Sequence, residues 1–534
     1  MSNVWPRRRA AAALLLSVVP ACAGRIAPTP PAAEPPARGG TFRLVQEVPE
    51  TLDPLLAGSV YDSLPVNQIF DGLVALDASL NIVPALAESW TISRDGTSYS
   101  FHLREGVRFH DGTPLEAEDV AFTLRRLLDP RHAKHSLAFA YLTVVEGAKE
   151  FAAGHRADLA GVEVLDPRTL RIRLERPYTS FLEVLSMDGV SVVPRARVER
   201  LGEARFAREP VGTGPFRLAG WTSSGLRLEA NPDYFRGRPY LDALEISFLG
   251  PDERDGEARF ARGQIDLLEL SRETLAHLAR NPGVRVYRSS ELGLGFLGLN
   301  TRMPPLDQAW LRQAITHAID RQAIAADAPQ TRREATGILP PGMFGYSPDL
   351  KGLEYDPGRS RALLAEAGHP GGNGLAPLDL YNPSRSAASL RLLEQVRSDL
   401  SAVGIRLELH NISWTEMNQR LDRGSAPAFL LAWIADLSDP DSFLRSLFQA
   451  DGSGNYFAYR DPGTDALLET GAGLTNPVER ARFYRALERR ILDEAPLVPL
   501  YHSIGLLATR DRVHGLQAGP LGVAKVDFEK VWLQ

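Results

Sequence analysis

Three carboxylates follow a tryptophan closely in "WIADLSDPDSF", residues 433–443. Acids so placed can receive a cationic group, cap a helix, or simply face water. Asp436 is the first residue after 429–435, an uninterrupted apolar run suited to a buried strand. A carboxylate fixed at the tip of a rigid element suits the reception of a cation, and a solvated strand-end turn accounts for it equally well. Asp439 precedes Pro440 and the apolar-periodic "DSFLRSLF". It is expected as a helix N-cap, with Asp441 in the first turn where the helix dipole favours negative charge.

Arg385 lies in "YNPSRSAAS", between a predicted strand and its helix. A guanidinium there can reach a cleft and hold a carboxylate through two parallel hydrogen bonds, and an exposed surface charge is the alternative. Trp433 and Trp414 can wall a side-chain pocket or join a core. Neither "HAKH" (132–135) nor the acids at 436–441 complete a metal-ligand set, so no metal and no cofactor is expected. The chain has no H-E-x-x-H and no G-x-S-x-G, and "VGTGPF" lacks the lysine and hydroxyl of a phosphate-binding loop. No catalytic residue is assigned, and that stretch is read as a turn.

The elements that must position these residues are legible around them. Asp95-Gly96 marks a hairpin whose second strand alternates Tyr99, Phe101 and Leu103 with polar neighbours. Thr113, Pro114 and Glu116 read as cap, first helical residue and capping box of a helix that ends at Asp129-Pro130. A helix over 304–324 sets Leu311, Ile315, Ala318 and Ile319 on one face, with Asp307 as its cap, and Asp356-Pro357 opens another that Gly368 stops. Residues 378–382, 389–404 and 405–410 read as strand, helix and strand, a β-α-β unit of the kind that gathers ligands at the carboxyl ends of its strands. A long helix over 476–496 precedes a last apolar stretch. No fixed-period repeat is present.

A chain of 534 residues with 24% charged and 44% hydrophobic residues has material for two or three domains. Its net charge of -6, and lysine confined to 134, 149, 351, 525 and 530, leave no basic footprint for nucleic acid. The start is different. Arg7 to Arg9 precede an apolar run over 10–19, too short to span a bilayer and right for a secretory leader. Cys22, the sole cysteine, follows Ala21 where a lipoprotein leader is cleaved and acylated, so lipidation there is expected, with 1–22 removed or modified as leader and lipobox. Residues 23–40, rich in proline and alanine, read as a tether.

Six stretches together resemble a known family: "PALAESWTISRDGTSYSFHLREGVRFHDGTPLEAEDVAFTLRRL" (84–127), "VGTGPFRL" (211–218), "NPDYFRGRPYLD" (231–242), "LRQAITHAIDR" (311–321), "YDPGRSRALLAEAG" (355–368) and "WIADLSDPDSF" (433–443). They are similar, in order and spacing, to the extracellular solute-binding proteins of family 5, the dipeptide- and oligopeptide-binding receptors of ATP-driven importers. The resemblance implies an α/β, two-lobed periplasmic-binding-protein-like fold of type II with an extra inserted subdomain and a ligand cleft between the lobes. Lobe I would comprise 41–76, 210–292 and 500–534, the inserted subdomain 77–209, and lobe II 293–499. Two segments crossing between the lobes would act as a hinge. In peptide-binding members the acid matching Asp436 clamps the α-ammonium of the ligand, and some carry an arginine near the position of Arg385. The implied function is that of an exported, lipid-anchored monomer. It captures a short peptide, performs no chemistry, and delivers its cargo to an ABC permease with its ATPase subunits. Haem, a nickel chelate or an oligosaccharide is the alternative cargo on the same fold. A secreted hydrolase is the alternative of another class.

Overall fold

Thr41–Gln46 alternates half-buried and buried side chains along a strand, with Phe42 and Leu44 turned inward, the period of two that a sheet with one face on a core requires. The computed structural model describes residues 36–132, 138–249, 255–270, 272–278, 281–384 and 386–534. In it this strand edges a four-stranded sheet, running parallel to Ala243–Phe248, with Gly225–Ala230 and Phe216–Trp221 following in antiparallel order. Phe42, Ile69, Phe206, Phe216, Leu244 and Phe528 share the core beneath it, so the chain's beginning, middle and end meet there. The 211–215 turn packs against the end of the helix Val60–Ile69. A Cβ at Gly212 would stand 2.0 Å from the Ile69 carbonyl oxygen, which leaves room for glycine alone.

A second four-stranded sheet is built on the expected hairpin. Ala87–Ile92 and Ser98–Leu103 pair antiparallel, and Thr169–Arg173 and Val162–Asp166 complete it. The helix Ala117–Leu128 covers it through Leu124 and Leu127, which share a core with Phe101 and Leu170. That helix starts later than its Thr-Pro signal predicts. Thr113 is held in a turn by Asp111, Pro114 bridges to Arg108 as extended chain, and the capping box is made by Glu116 and Asp119. Local side-chain bonds of Thr and Asp offered the backbone a turn, and the turn prevailed over an earlier helix start.

The third sheet has seven strands, six of them in the order Leu267–Glu269, Leu497–Arg510, Val284–Leu299, Ala428–Ile434, Leu378–Asn382 and Leu407–Asn411, with Arg332–Glu334 attached to the second. Leu378–Asn382 and Leu407–Asn411 are parallel and joined by the helix Ala387–Ala402, the β-α-β unit read from sequence. The two long strands, Val284–Leu299 and Leu497–Arg510, pair antiparallel for most of their lengths. One end of this pair meets Leu267–Glu269, the other passes into the core of Phe296, Leu497 and Ile491.

Asp356 caps its helix as expected, and Asn476 caps the long helix Pro477–Glu494. The 304–324 segment departs from its single-helix reading. It divides into Ala309–Ala318 and Arg321–Asp327 because Ile319 is extended and Asp320 caps a new start by accepting from the Ala323 amide. Asp307 is not the cap of the first helix; its amide donates to Met303 in the preceding turn, and Gln308 stands at the N-cap. The apolar face survives the break, with Leu311, Ile315, Ala318 and Ile319 all buried. The leader, Cys22 and the tether as far as residue 35 lie outside the described residues, as does Arg385. Among the described residues no helix is long and apolar enough to cross a membrane.

Candidate functional site

The 428–434 strand carries the candidate site. All of it pairs with Val284–Leu299, from Ala428 opposite Leu299 to Ile434 opposite Gly293, but on its other side only Ala428 and Phe429 pair with Leu378–Asn382. Residues 430–434 therefore present a strand edge with no partner strand among the described residues. Burial along this half alternates: Ala432 and Ile434 are exposed, Leu431 and Trp433 half-buried. An apolar run with one unpaired edge and one exposed set of side chains is a ready template for an extended chain.

Asp436 follows directly. Its amide and that of Leu437 donate to the Ser442 Oγ at 2.7 and 3.2 Å, so the hydroxyl from the next helix fixes the turn. The carboxylate itself receives no hydrogen bond from any described residue. It keeps some solvent access while sitting deep among protein atoms, and burial raises its pKa to about 7, with Asp188 pushing in the same direction and Lys525 opposing both. Lys525 is already engaged by Asp188 at 2.9 Å and by the Asn67 Oδ1 at 3.2 Å. A half-buried carboxylate with no donor among the described residues is disfavoured in its charged form until a cation stands beside it.

The other two acids are structural, and more deeply so than caps. Asp439 accepts from the Asp441 amide at 3.0 Å, yet the N-cap position of the helix Asp441–Phe448 is held by Pro440. The Asp439 carboxylate pairs with both terminal nitrogens of Arg480 at 2.6 and 2.8 Å, fully inside the protein. Asp441 accepts from the Tyr484 hydroxyl at 2.7 Å and from Arg445 at 3.1 Å. Trp433 turns its indole to the core side, donating to the Ser442 carbonyl at 3.0 Å, and its ring lies so close to Gly454 that a Cβ there would meet it at 2.7 Å.

A cavity of ≈ 500 Å³ opens along the unpaired edge. Its walls include Ala432, Trp414 at the start of its helix, Asn382 and Ser384 at the carboxyl end of the 378–382 strand, and Ser386. This is the strand end where the β-α-β reading placed ligands. Trp433 and Asp436 line neither this cavity nor a smaller one of ≈ 110 Å³ that Lys525 borders. Asp436 stands four residues past Ala432, a distance of about 13 Å along an extended strand.

Three charged residues of the larger cavity were not visible in sequence. Arg332 is buried with its guanidinium 4.7 Å over the Tyr501 ring. Glu269 and Glu291 line the same cavity, and neither has a hydrogen-bond or ion-pair partner among the described residues. Burial pushes both up, Glu291 to about 7 with Glu269 adding repulsion. A register shift between Ser290 and Leu294 re-aims Glu291, and Gly505 makes room: a Cβ there would lie 2.2 Å from the Glu291 Oε1. A lone glutamate inside "SSELGLGFLGLN" is the one local signal that could have marked such a residue.

From the other side, residues 141–188 touch the motif. Glu183 accepts from the Ser438 amide and hydroxyl at 3.0 and 2.9 Å, Tyr141 and Ser446 share a hydrogen bond of 2.7 Å, and Leu437 is buried within the core of the 87–173 sheet.

A strand edge and a donor-free acid, enclosed by segments from two cores, describe a receptor for a guest. Residues 81–455 match the family model of bacterial extracellular solute-binding proteins, family 5. The chain belongs to that family. It is 32% identical to Heme-binding protein A of Haemophilus influenzae, over 88% of this chain and 87% of that one, and 30% identical to Di/tripeptide-binding protein 2 of Pseudomonas aeruginosa, over 91% and 94%. In structure it is similar to the ABC transporter-associated periplasmic binding protein DppA from Helicobacter pylori in complex with peptide STSA, with a TM-score of 0.82, 26% identity, and coverage of 93% of this chain and 98% of that one. The fold is therefore the two-lobed α/β architecture of periplasmic binding proteins, with the ligand cleft between the lobes, and the family is one of transporter binding proteins.

Proposed function

We propose that this protein captures short peptides by their free amino terminus and delivers them to an ABC permease. The observation that carries this reading is the Asp436 carboxylate, deep in the protein, with no donor among the described residues, and just past a strand edge that none of them pairs. A free peptide offers matching parts: an ammonium for the acid and a backbone that pairs with residues 430–434 whatever its side chains. From Asp436 back to Ala432 there is room for about three or four extended residues. Arg332, and Arg385 beside Ser384 and Ser386, are the bases that can meet the carboxylate end, and Trp414 flanks the chain between. The segments 41–76, 210–292 and 500–534 with the insert 77–209 act as one lobe and 293–499 as the other. The long strand pair serves as hinge, and the Glu183–Ser438 and Tyr141–Ser446 bonds latch the closed form. Export and tethering follow from the leader, with Cys22 as the lipid attachment point; palmitate labelling that is lost in Cys22→Ala tests this part.

Haem is the second reading, carried by the likeness to Heme-binding protein A. Of the described residues lining the ≈ 500 Å³ cavity only Tyr501 is of a type that ligates haem iron, and its ring lies under Arg332. Native mass spectrometry of the purified protein, followed by denaturation to identify what was held, decides between them. Peptides are the expected result. A tetrapyrrole with no peptide overturns the proposal in favour of the second reading.

A further inference from the structure

We propose that Asp379, Glu408 and His410 form a binding site for one divalent transition-metal ion of the zinc type on the outer edge of the large sheet. The ladder between Leu378–Asn382 and Leu407–Asn411 sets Asp379 directly opposite Glu408, and His410 follows two residues on, so all three project from one face. Leu378, Leu380, Leu407 and Leu409 take the other face, into the core. One donor atom from each of the three side chains lies within 4.8 Å of the other two. None of the three lines the ligand cavity.

An ion pair explains only part of this arrangement. The His410 Nε2 meets the Asp379 Oδ1 at 2.6 Å, but no lysine or arginine among the described residues pairs with either Asp379 or Glu408. Two carboxylates directly opposite on neighbouring strands repel, and one imidazole with at most one added charge cannot compensate both. A dication can. Zinc binds imidazole nitrogen and carboxylate oxygen at about 2.0–2.2 Å, which sets donors roughly 3.3–3.6 Å apart around a tetrahedron, so the ion would replace the proton between His410 and Asp379 and open that 2.6 Å contact while the exposed Glu408 side chain swings in. One nitrogen and two oxygens suit a borderline ion such as zinc over magnesium or calcium, and water would fill the open position.

The imidazole is also oriented from outside the trio. Tyr381 stacks on His410 with ring centroids 4.8 Å apart and planes at 19°, and the Arg420 guanidinium covers Tyr381 at 4.4 Å. Such outer contacts fix the ring plane of a metal-binding histidine. Sequence spacing could not reveal the group, because Asp379 and His410 lie 31 positions apart and only strand pairing unites them. With the ion bound, the edge strand Leu407–Asn411 would be tied to its neighbour through side chains as well as backbone.

The test uses tag-free protein stripped with a chelator and titrated with zinc, with retained metal counted after desalting. The expected result is one zinc retained per chain. His410→Ala should abolish retention, and Glu408→Gln, which leaves the His410–Asp379 pair intact, should weaken binding at least about tenfold. At one zinc concentration the thermal midpoint of the parent protein should rise by several degrees, that of Glu408→Gln by less and that of His410→Ala not at all, with circular dichroism confirming that both variants are folded. No retained zinc, or retention unchanged by Glu408→Gln, would overturn the site. Anomalous scattering at the zinc edge supplies an independent reading: a peak between the two strands supports it, and a peak elsewhere with none there rejects it.

Discussion

Replacing Asp436 with asparagine keeps the shape of the side chain and removes the charge that the proposed peptide amine would meet. The environment has raised this carboxyl from 3.8 to about 7. At about 1.4 kcal/mol per unit, that is a bias of up to about 4 kcal/mol against the charged form, before the screening that its residual solvent access allows. An ammonium placed beside it reverses the bias. Removing one member of such a partly buried pair costs about 2–5 kcal/mol, so Asp436→Asn should weaken binding of a free-amine peptide by roughly thirty-fold to several thousand-fold at pH 7.5. The pH dependence follows with a definite sign. Below about pH 7 the peptide must displace a proton from Asp436, so parent affinity should fall by up to tenfold per unit as pH drops. Above about pH 8 it should fall again as the peptide amine, with a usual pKa of about 7.7–8.0, loses its charge. Titration calorimetry in buffers of different ionisation enthalpy should register proton release on binding near pH 6 in the parent protein and none in Asp436→Asn. An affinity within threefold of the parent, or a parent profile flat between about pH 5 and pH 7, would refute the reasoning.

Other outcomes follow from neighbouring residues. Arg480→Ala leaves Asp439 buried without its partner and should cost about 3–5 kcal/mol in chemical denaturation; a loss under 1 kcal/mol would show that water enters and replaces the pair. Glu291 is raised to about 7, so ionising it disfavours the fold, and the parent protein should lose stability as pH climbs from about 4.5 to about 7. Glu291→Gln should remove part of that decline, by at most about 3 kcal/mol before solvent screening, and a stability profile identical to the parent's would contradict the assignment. Glu183→Ala deletes both bonds to Ser438 and should shift the unliganded protein toward an open form, visible as a larger radius of gyration in solution scattering that peptide reverses. Unchanged scattering would mean that Glu183 is no latch.

What could be read in advance divides along the range of the interactions. The turn at Asp95-Gly96, the cap at Asp356, and the β-α-β unit over 378–411 were legible because their determinants lie within a few residues of each other. The start of the 117–128 helix was misplaced because Thr113 and Pro114 are consistent with either a cap or a turn, and the extended bridge from Arg108 to Pro114 decided it. Asp436 stood out through an apolar run followed by a single acid. Arg480 and Tyr484, which pair with Asp439 and Asp441, come from the 477–494 helix, about forty residues further on, so the depth of the two acids could not be inferred from a local pattern that fits a cap. Glu269, Glu291 and Arg332 meet at one cavity through strand pairing and a register shift, features that leave almost no trace in the local sequence.

The central claim is that the carboxylate of Asp436 meets the ammonium of a peptide extended along residues 430–434. The most direct measurement compares one peptide with its N-acetylated form on the parent protein and on Asp436→Asn, since the cycle isolates the coupling between the two groups. Acetylation should cost the parent at least about thirtyfold in affinity and the variant little. Equal affinity of the parent for both peptides, or the same loss in both proteins, would contradict it.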